Sequence, residues 1–85
     1  MEYMQEKEIF RYVLATLDGT YLKSLHMGSY CFSDIESCTK FASEKLAEQY
    51  IKYYRHDTRD NTTDLFVIPV RISYDLINEK WRVRI

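Results

Sequence analysis

The chain has 85 residues, with 12 basic and 13 acidic side chains and a formal net charge of -1. That length allows one domain, residues 1–85, built on one core. An apolar content of 46% excludes a disordered tail, and the near-balanced charge writes no bulk attraction to nucleic acid or membrane into the total.

The first eight residues lack periodicity and read as a frayed lead-in with no apolar signal segment. No apolar run approaches the ~20 residues that span a bilayer. The expected compartment is therefore cytoplasmic, where Cys31 and Cys38 stay reduced. Residues 9–17 are dense in strand formers: Ile9, Phe10, Tyr12, Val13, Leu14 and Leu17. Asp18-Gly19 follows and predicts a type I′ turn, in which both central residues take positive φ. Residues 20–25 read as the return strand, and Tyr30-Cys31-Phe32 as a short third strand.

Ser33 and Glu36 have the spacing of a capping box, which predicts a short helical turn over residues 34–39. Ser43 is a second N-cap candidate. Residues 44–54 form the best helix pattern, with Leu46, Ala47, Tyr50, Ile51, Tyr53 and Tyr54 at three- and four-residue spacing. Its single apolar stripe predicts a helix lying on a sheet. Residues 55–64 are polar throughout and read as a long loop, of the kind that is mobile or functional.

Residues 65–74 predict a long strand, in which Pro69 demands an edge position or a bulge because it has no N–H. Residues 81–85 alternate again. A hairpin centred near Ile77-Asn78 sets Tyr74 opposite Trp81, Ile72 opposite Val83 and Val70 opposite Ile85, building one apolar face. The other face then gathers Arg71, Arg82 and Arg84, which suits an acidic partner. The fold class expected is α+β: an antiparallel sheet of four or five strands on one main helix, in the order β-β-(β)-α-β-β. One sheet face is expected to hold the apolar side chains.

The chemistry-bearing residues form no catalytic constellation. His26, Cys31, Cys38 and His56 do not reproduce the paired spacings of a structural zinc site. No glycine-rich loop offers a phosphate cradle, so neither cofactor nor metal is expected, nor an enzyme. The unusual feature is aromatic content: eight tyrosines, four phenylalanines and one tryptophan. Phe10, Tyr12, Phe41, Tyr50, Phe66, Tyr74 and Trp81 are the core candidates. Tyr3, Tyr21, Tyr30, Tyr53 and Tyr54 are harder to place inside. Tyr, Trp and Arg dominate interface hot spots. The expected partner-binding residues are therefore Tyr53, Tyr54, Arg55, Arg71, Arg82 and Arg84. The same arginines, with a stacking tyrosine, suit a nucleotide or single-stranded nucleic acid as an alternative ligand. A homodimer through the Pro69 strand or the exposed aromatics is the base-rate expectation for self-association.

Three stretches resemble a known type: Tyr12-Val13-Leu14 with Asp18-Gly19-Thr20-Tyr21-Leu22-Lys23-Ser24, then residues 41–51, then residues 67–76. They resemble the small accessory proteins encoded by phages and prophages of low-GC Gram-positive bacteria. Those proteins tend to show an Asp-Gly-x-Tyr-Leu hairpin, an Ala-x-x-Phe lead-in to one helix and a final Val-x-Ile-x-Tyr strand. Cys38 stands where that lead-in has its first alanine. Several such proteins inhibit bacterial immunity, by occupying a CRISPR nuclease or by sequestering a signalling nucleotide. The resemblance implies a non-enzymatic, anti-CRISPR-like inhibitor in the host cytoplasm, acting on a host defence protein such as a CRISPR effector. It carries over no functional residue.

Overall fold

The computed structural model describes residues 6–75 and 80–85. Five strands form one antiparallel sheet: β1 (Glu6–Ala15), β2 (Tyr21–Ser24), β3 (Tyr30–Ser33), β4 (Phe66–Asp75) and β5 (Lys80–Arg84). Helix α1 (Glu44–Thr58) lies between β3 and β4 in the chain. The spatial order is β3-β2-β1-β4-β5. The α+β architecture and its element order are as the sequence indicates. The spine is the β1–β4 ladder, which runs unbroken from Glu6↔Asp75 to Ala15↔Phe66. Strand therefore begins at Glu6, inside the stretch expected to fray. The centre of the last hairpin, at Ile77-Asn78, lies outside the described residues.

The first turn forms at Asp18-Gly19, but its geometry is not type I′. Gly19 has φ 87 while Asp18 does not take positive φ. Gly19 N donates to Thr16 O at 3.4 Å and Thr16 N donates to Thr20 O at 2.9 Å. This is a longer hairpin loop that ends in one left-handed glycine. Asp18 explains the choice. Its carboxylate accepts from Thr20 N and from the hydroxyls of Thr16 and Thr20, which fastens the loop across its base. Leu17, expected in the strand, is 80% exposed at the tip.

β1 and β2 separate after the single pair Ala15↔Tyr21. The strap leading into α1 fills the gap. Phe41 pairs with Tyr12 through two backbone hydrogen bonds of 2.7 and 2.9 Å. Thr39 N donates to Leu22 O at 3.2 Å, and Ser24 N donates to Thr39 Oγ1 at 2.7 Å. The strap thus supplies ladder partners that the departing β2 leaves without one.

Two local expectations are corrected here. The capping box at Ser33 does not form. Asp34 accepts from Ser37 N at 2.8 Å instead, and Cys38 N donates to Asp34 O at 3.1 Å, closing one isolated turn over residues 34–38. The acceptor that wins is one residue later because a short carboxylate reaches the third N–H beyond it. Helix α1 is capped by Ser43, whose hydroxyl accepts from Leu46 N at 3.1 Å, as its position suggests. It runs past Tyr54 to Thr58 and stops at Arg59, which takes the left-handed conformation with φ 62. Part of the polar stretch 55–64 is therefore helix, and the remainder is densely hydrogen-bonded.

The core is two clusters on opposite sheet faces, where one was expected. Val13 and Leu14 are both 0% exposed, so neighbouring residues of β1 point into apolar surroundings on both faces. Leu14, Leu22, Phe41, Ala47 and Tyr54 pack under α1, with Tyr12, Tyr50 and Val67 around them. Val13, Cys38, Val70 and Ile72 pack on the other face, with Ile35 from the 34–38 turn. The helix lies on the face that carries Tyr12, Leu14 and Val67, and strand alternation puts Arg71 on that same face. Of the expected aromatic core, Phe41 is buried and Tyr12, Tyr50 and Tyr74 are half-buried. Phe10, Phe66 and Trp81 are exposed.

Candidate functional site

Helix α1 has 15 residues and β1 and β4 have ten each. The helix is about 22 Å long, whereas a ten-residue antiparallel strand spans about 34 Å. The sheet outruns its cover. The part beyond the helix is the far half of β1 and β4 together with β5, where Ile72 and Ser73 are buried but Phe10, Arg71, Trp81, Arg82 and Arg84 are exposed, and this ribbon is the candidate site.

Backbone direction along the ribbon follows from one bridge. Tyr12 exchanges its N–H and C=O with Phe41, so both point away from β4. Tyr12↔Pro69 is therefore a non-hydrogen-bonded pair. The Pro69 nitrogen faces the β5 side, and the β4–β5 pairs end at Arg71↔Arg84. Proline at this position costs no ladder hydrogen bond, and the strand is locally an edge, as proline requires. Alternation then makes Arg71↔Arg84 and Ser73↔Arg82 the hydrogen-bonded pairs of β4 and β5. The N–H and C=O groups of Trp81 and Val83 point outward, along an edge that pairs with no other strand among the described residues.

The two ribbon faces differ in chemistry. Arg71, Arg82 and Arg84 share one face, and all three are exposed. Phe10, the β1 neighbour of Arg71, is 65% exposed beside them. With Pro69, Val70, Arg71 and Ile85 it lines a concavity of about 170 Å³. On the opposite face Tyr74 and Trp81 lie together, their ring centroids 4.6 Å apart. Ile72 and Val83 continue this apolar row. With Ile9 and Trp81 they floor a groove of about 290 Å³ walled by Glu36 and Lys40. Trp81 is 49% exposed and Ile85 is 72% exposed.

The six expected site residues do not form one patch. Arg71, Arg82 and Arg84 come together on the ribbon, in the register the sequence indicates. Tyr53, Tyr54 and Arg55 are in the helix, and the chain returns from its C-terminal end to the other end of β4. Arg71 is five residues along β4 from Phe66, about 17 Å. Tyr53 is 44% exposed and beside it lies a concavity lined by Lys45, Glu48, Gln49 and Lys52. Tyr54, expected outside, is 5% exposed and belongs to the core. Its ring meets the edges of Tyr30 and Phe32 at 5.4 and 5.9 Å. The signal that separates these neighbours is helical phase. Ala47, Tyr50, Ile51 and Tyr54 stand at i, i+3, i+4 and i+7, and Tyr53 is off that face. Arg55 is half-buried and donates to Asp60 O at 3.1 Å and Thr63 O at 3.0 Å, which holds the following turn.

Four displaced titratable groups, Tyr30, Tyr54, Asp57 and Asp60, gather at this helix end and brace it. Tyr54 donates to Asp60 at 2.6 Å, and burial followed by that bond pushes the phenol up. Asp60 is held well below the usual carboxylate range by the hydroxyls of Thr63 and Tyr54 and by the N–H of Thr62. Tyr30 donates to Asp57 at 2.7 Å, and burial with that bond pushes it up to about 12. Asp57 is lowered by the same hydroxyl. Protonated phenols and ionised acids are thus matched as donors and acceptors. They tie α1 to β3 and to the turn after the helix.

The remaining candidates are scattered. Cys31 and Cys38 are free thiols, and burial raises Cys38. Among the described residues no three or more His, Cys, Asp or Glu side chains gather to hold a metal. No helix among them is long and apolar enough to cross a membrane. The site residues that sequence reasoning missed are Ile9, Glu36, Lys40 and Ile85, because a groove between two strands and a distant strap has no local pattern. No family model matches the chain, and no curated protein or solved structure matches it.

Proposed function

We propose that this chain is a non-enzymatic protein-binding module that docks through the β4–β5 ribbon. We also propose that its partner is a bacterial defence protein in the host cytoplasm, a CRISPR effector being the first to test. The observation that carries the docking surface is the length mismatch between helix and sheet. It leaves Phe10 exposed beside the arginines, while Trp81 is exposed on the ribbon face opposite the helix and Ile85 just past β5. Trp and Arg are the residues of interface hot spots, here on the two faces of one ribbon, and the apolar groove offers area to desolvate. The defence partner rests on the resemblance to phage accessory proteins.

A second reading takes the arginines as a nucleotide or single-strand site. It is weaker because the Tyr74–Trp81 pair lies on the face opposite the arginines. One nucleotide cannot stack on those rings and set its phosphates on Arg71 and Arg84, which leaves Phe10 as the exposed ring beside the arginines.

The test is inhibition of a defence system in cells that express the chain, with capture of the effector from their lysate. Wild type and Tyr53→Ala are expected to inhibit and capture equally. Arg71→Glu with Arg84→Glu, or Trp81→Ala, is expected to lose both. If the ribbon variants inhibit like wild type, docking through the ribbon is wrong. Melting-temperature screening against linear and cyclic nucleotides decides the second reading, since a ligand that binds only the folded state raises the melting point.

A further inference from the structure

Resting on docking through the ribbon, we infer that the partner contributes an extended segment of alternating acidic and apolar residues, which adds as a sixth strand to the free edge of β5. Three observations carry this. First, among the described residues β5 ends the sheet, and its outward N–H and C=O groups belong to Trp81 and Val83. Those groups hydrogen-bond whatever strand lies alongside. Second, the register fixes what that strand needs. If it pairs antiparallel, the residues opposite Arg82 and Arg84 fall in non-hydrogen-bonded pairs, where side chains come closest. Acidic residues are favoured at those places, on the arginine face. Apolar residues alternate with them, on the face of Trp81, Val83 and the groove beside Ile9 and Ile72. Third, Arg71 and Arg84 are cross-strand partners of like charge, and neither forms an ion pair with a described residue. An acid beside Arg84 offsets that repulsion.

The other edges fit less well. β3 has four residues, and its Tyr30 hydroxyl is committed to Asp57. The open stretch of β4 contains Pro69, which removes a donor. A second copy of β5 brings arginines against arginines, so self-pairing on this edge is opposed by charge.

The probe is a short blocked peptide of alternating glutamate and valine, titrated into the full chain. Trp81 is the sole tryptophan and sits on the strand in question, so its emission reports occupancy. A saturable emission change is expected, with affinity about tenfold or more above that of the lysine–valine peptide. The same peptide N-methylated on its β5-facing edge is expected to lose at least that factor. Val83→Pro deletes an outward N–H that β4 does not use, and it is expected to abolish the response while the circular dichroism stays native. Arg82→Glu with Arg84→Glu is expected to reverse the preference toward the lysine peptide, which keeps the test decisive should the proline variant fail to fold. Equal binding by the N-methylated peptide would overturn strand addition and leave ribbon docking standing. No response to any peptide, with effector capture still dependent on Trp81, would do the same. Tighter binding of an oligothymidylate than of the acidic peptide would overturn the acidic-segment assignment in favour of nucleic acid. A concentration-dependent dimer that Val83→Pro abolishes would show that a second copy takes the edge.

Discussion

Arg71 and Arg84 are cross-strand partners and both are exposed, so Arg84→Glu turns a like-charge pair into an opposite one. In a hydrogen-bonded antiparallel pair the Cα atoms are about 5.5 Å apart. With the guanidinium groups splayed to about 7 Å, two unit charges in water repel by about 0.6 kcal/mol. A Debye length of about 8 Å at physiological salt cuts this to about 0.3 kcal/mol. Attraction of similar size replaces it in the variant. The expected gain is therefore about 0.5–1 kcal/mol, with the upper end at low salt, in line with measured cross-strand pairs. For a domain of this size that raises the melting temperature by roughly 2–8 °C. Urea unfolding followed by Trp81 emission, at low and high salt, is the assay. Added salt is expected to stabilise wild type and to reduce the advantage of the variant. The same substitution is expected to remove effector binding, so stability and function move in opposite directions. A variant less stable than wild type, or one with an unchanged salt response, would refute the claim that this pair is an uncompensated repulsion.

Other expectations concern the framework that holds the ribbon. Leu22 is 0% exposed between β1 and α1, so Leu22→Ala is expected to cost about 2–5 kcal/mol in urea unfolding. Asp57 and Asp60 are lowered in the folded state, so their contribution is full above the unfolded value of about 3.9 and is lost as pH falls below it. Asp60→Asn is expected to be less stable than wild type at neutral pH and to show a shallower acid transition, read by circular dichroism against pH. Tyr30 is raised to about 12, so its contribution is full below about 10 and fades as pH climbs between those values. Tyr30→Phe is expected to flatten the alkaline limb of the same curve.

The legible parts of this fold are those where a local pattern fixes parity. The Tyr74–Trp81 and Arg71–Arg84 register follows from two alternating runs joined by a short connection, because a slip of one residue moves every apolar side chain to the wrong face. Ser43 announces the helix because its hydroxyl has an orphan N–H to accept from. What was not legible is what depends on distant chain. Val13 and Leu14 are both apolar, so β1 alone does not say which face the helix takes. Nothing near Phe41 says that it will bond Tyr12 and separate two strands of one hairpin. The polar stretch after Tyr54 reads as loop because its helical turn is stabilised by Asp60 and Thr63, which accept from Arg55 only once the chain has folded back. Phe10 and Trp81 read as core because their spacing is right. Only the comparison of helix length with strand length shows that the cover stops before it reaches Phe10, whereas Trp81 lies on the face opposite the helix.

A partner is proposed to sit on the outer edge and the two faces of the β4–β5 ribbon. Residue-resolved hydrogen exchange on the captured complex addresses it directly. The amides of Trp81 and Val83, which point away from β4, are expected to become protected on binding. Those on the exposed face of α1, at Lys45, Glu48 and Lys52, are expected to exchange as before. Unchanged exchange at Trp81 and Val83, with new protection along that helix face, would contradict the account and move the site to α1.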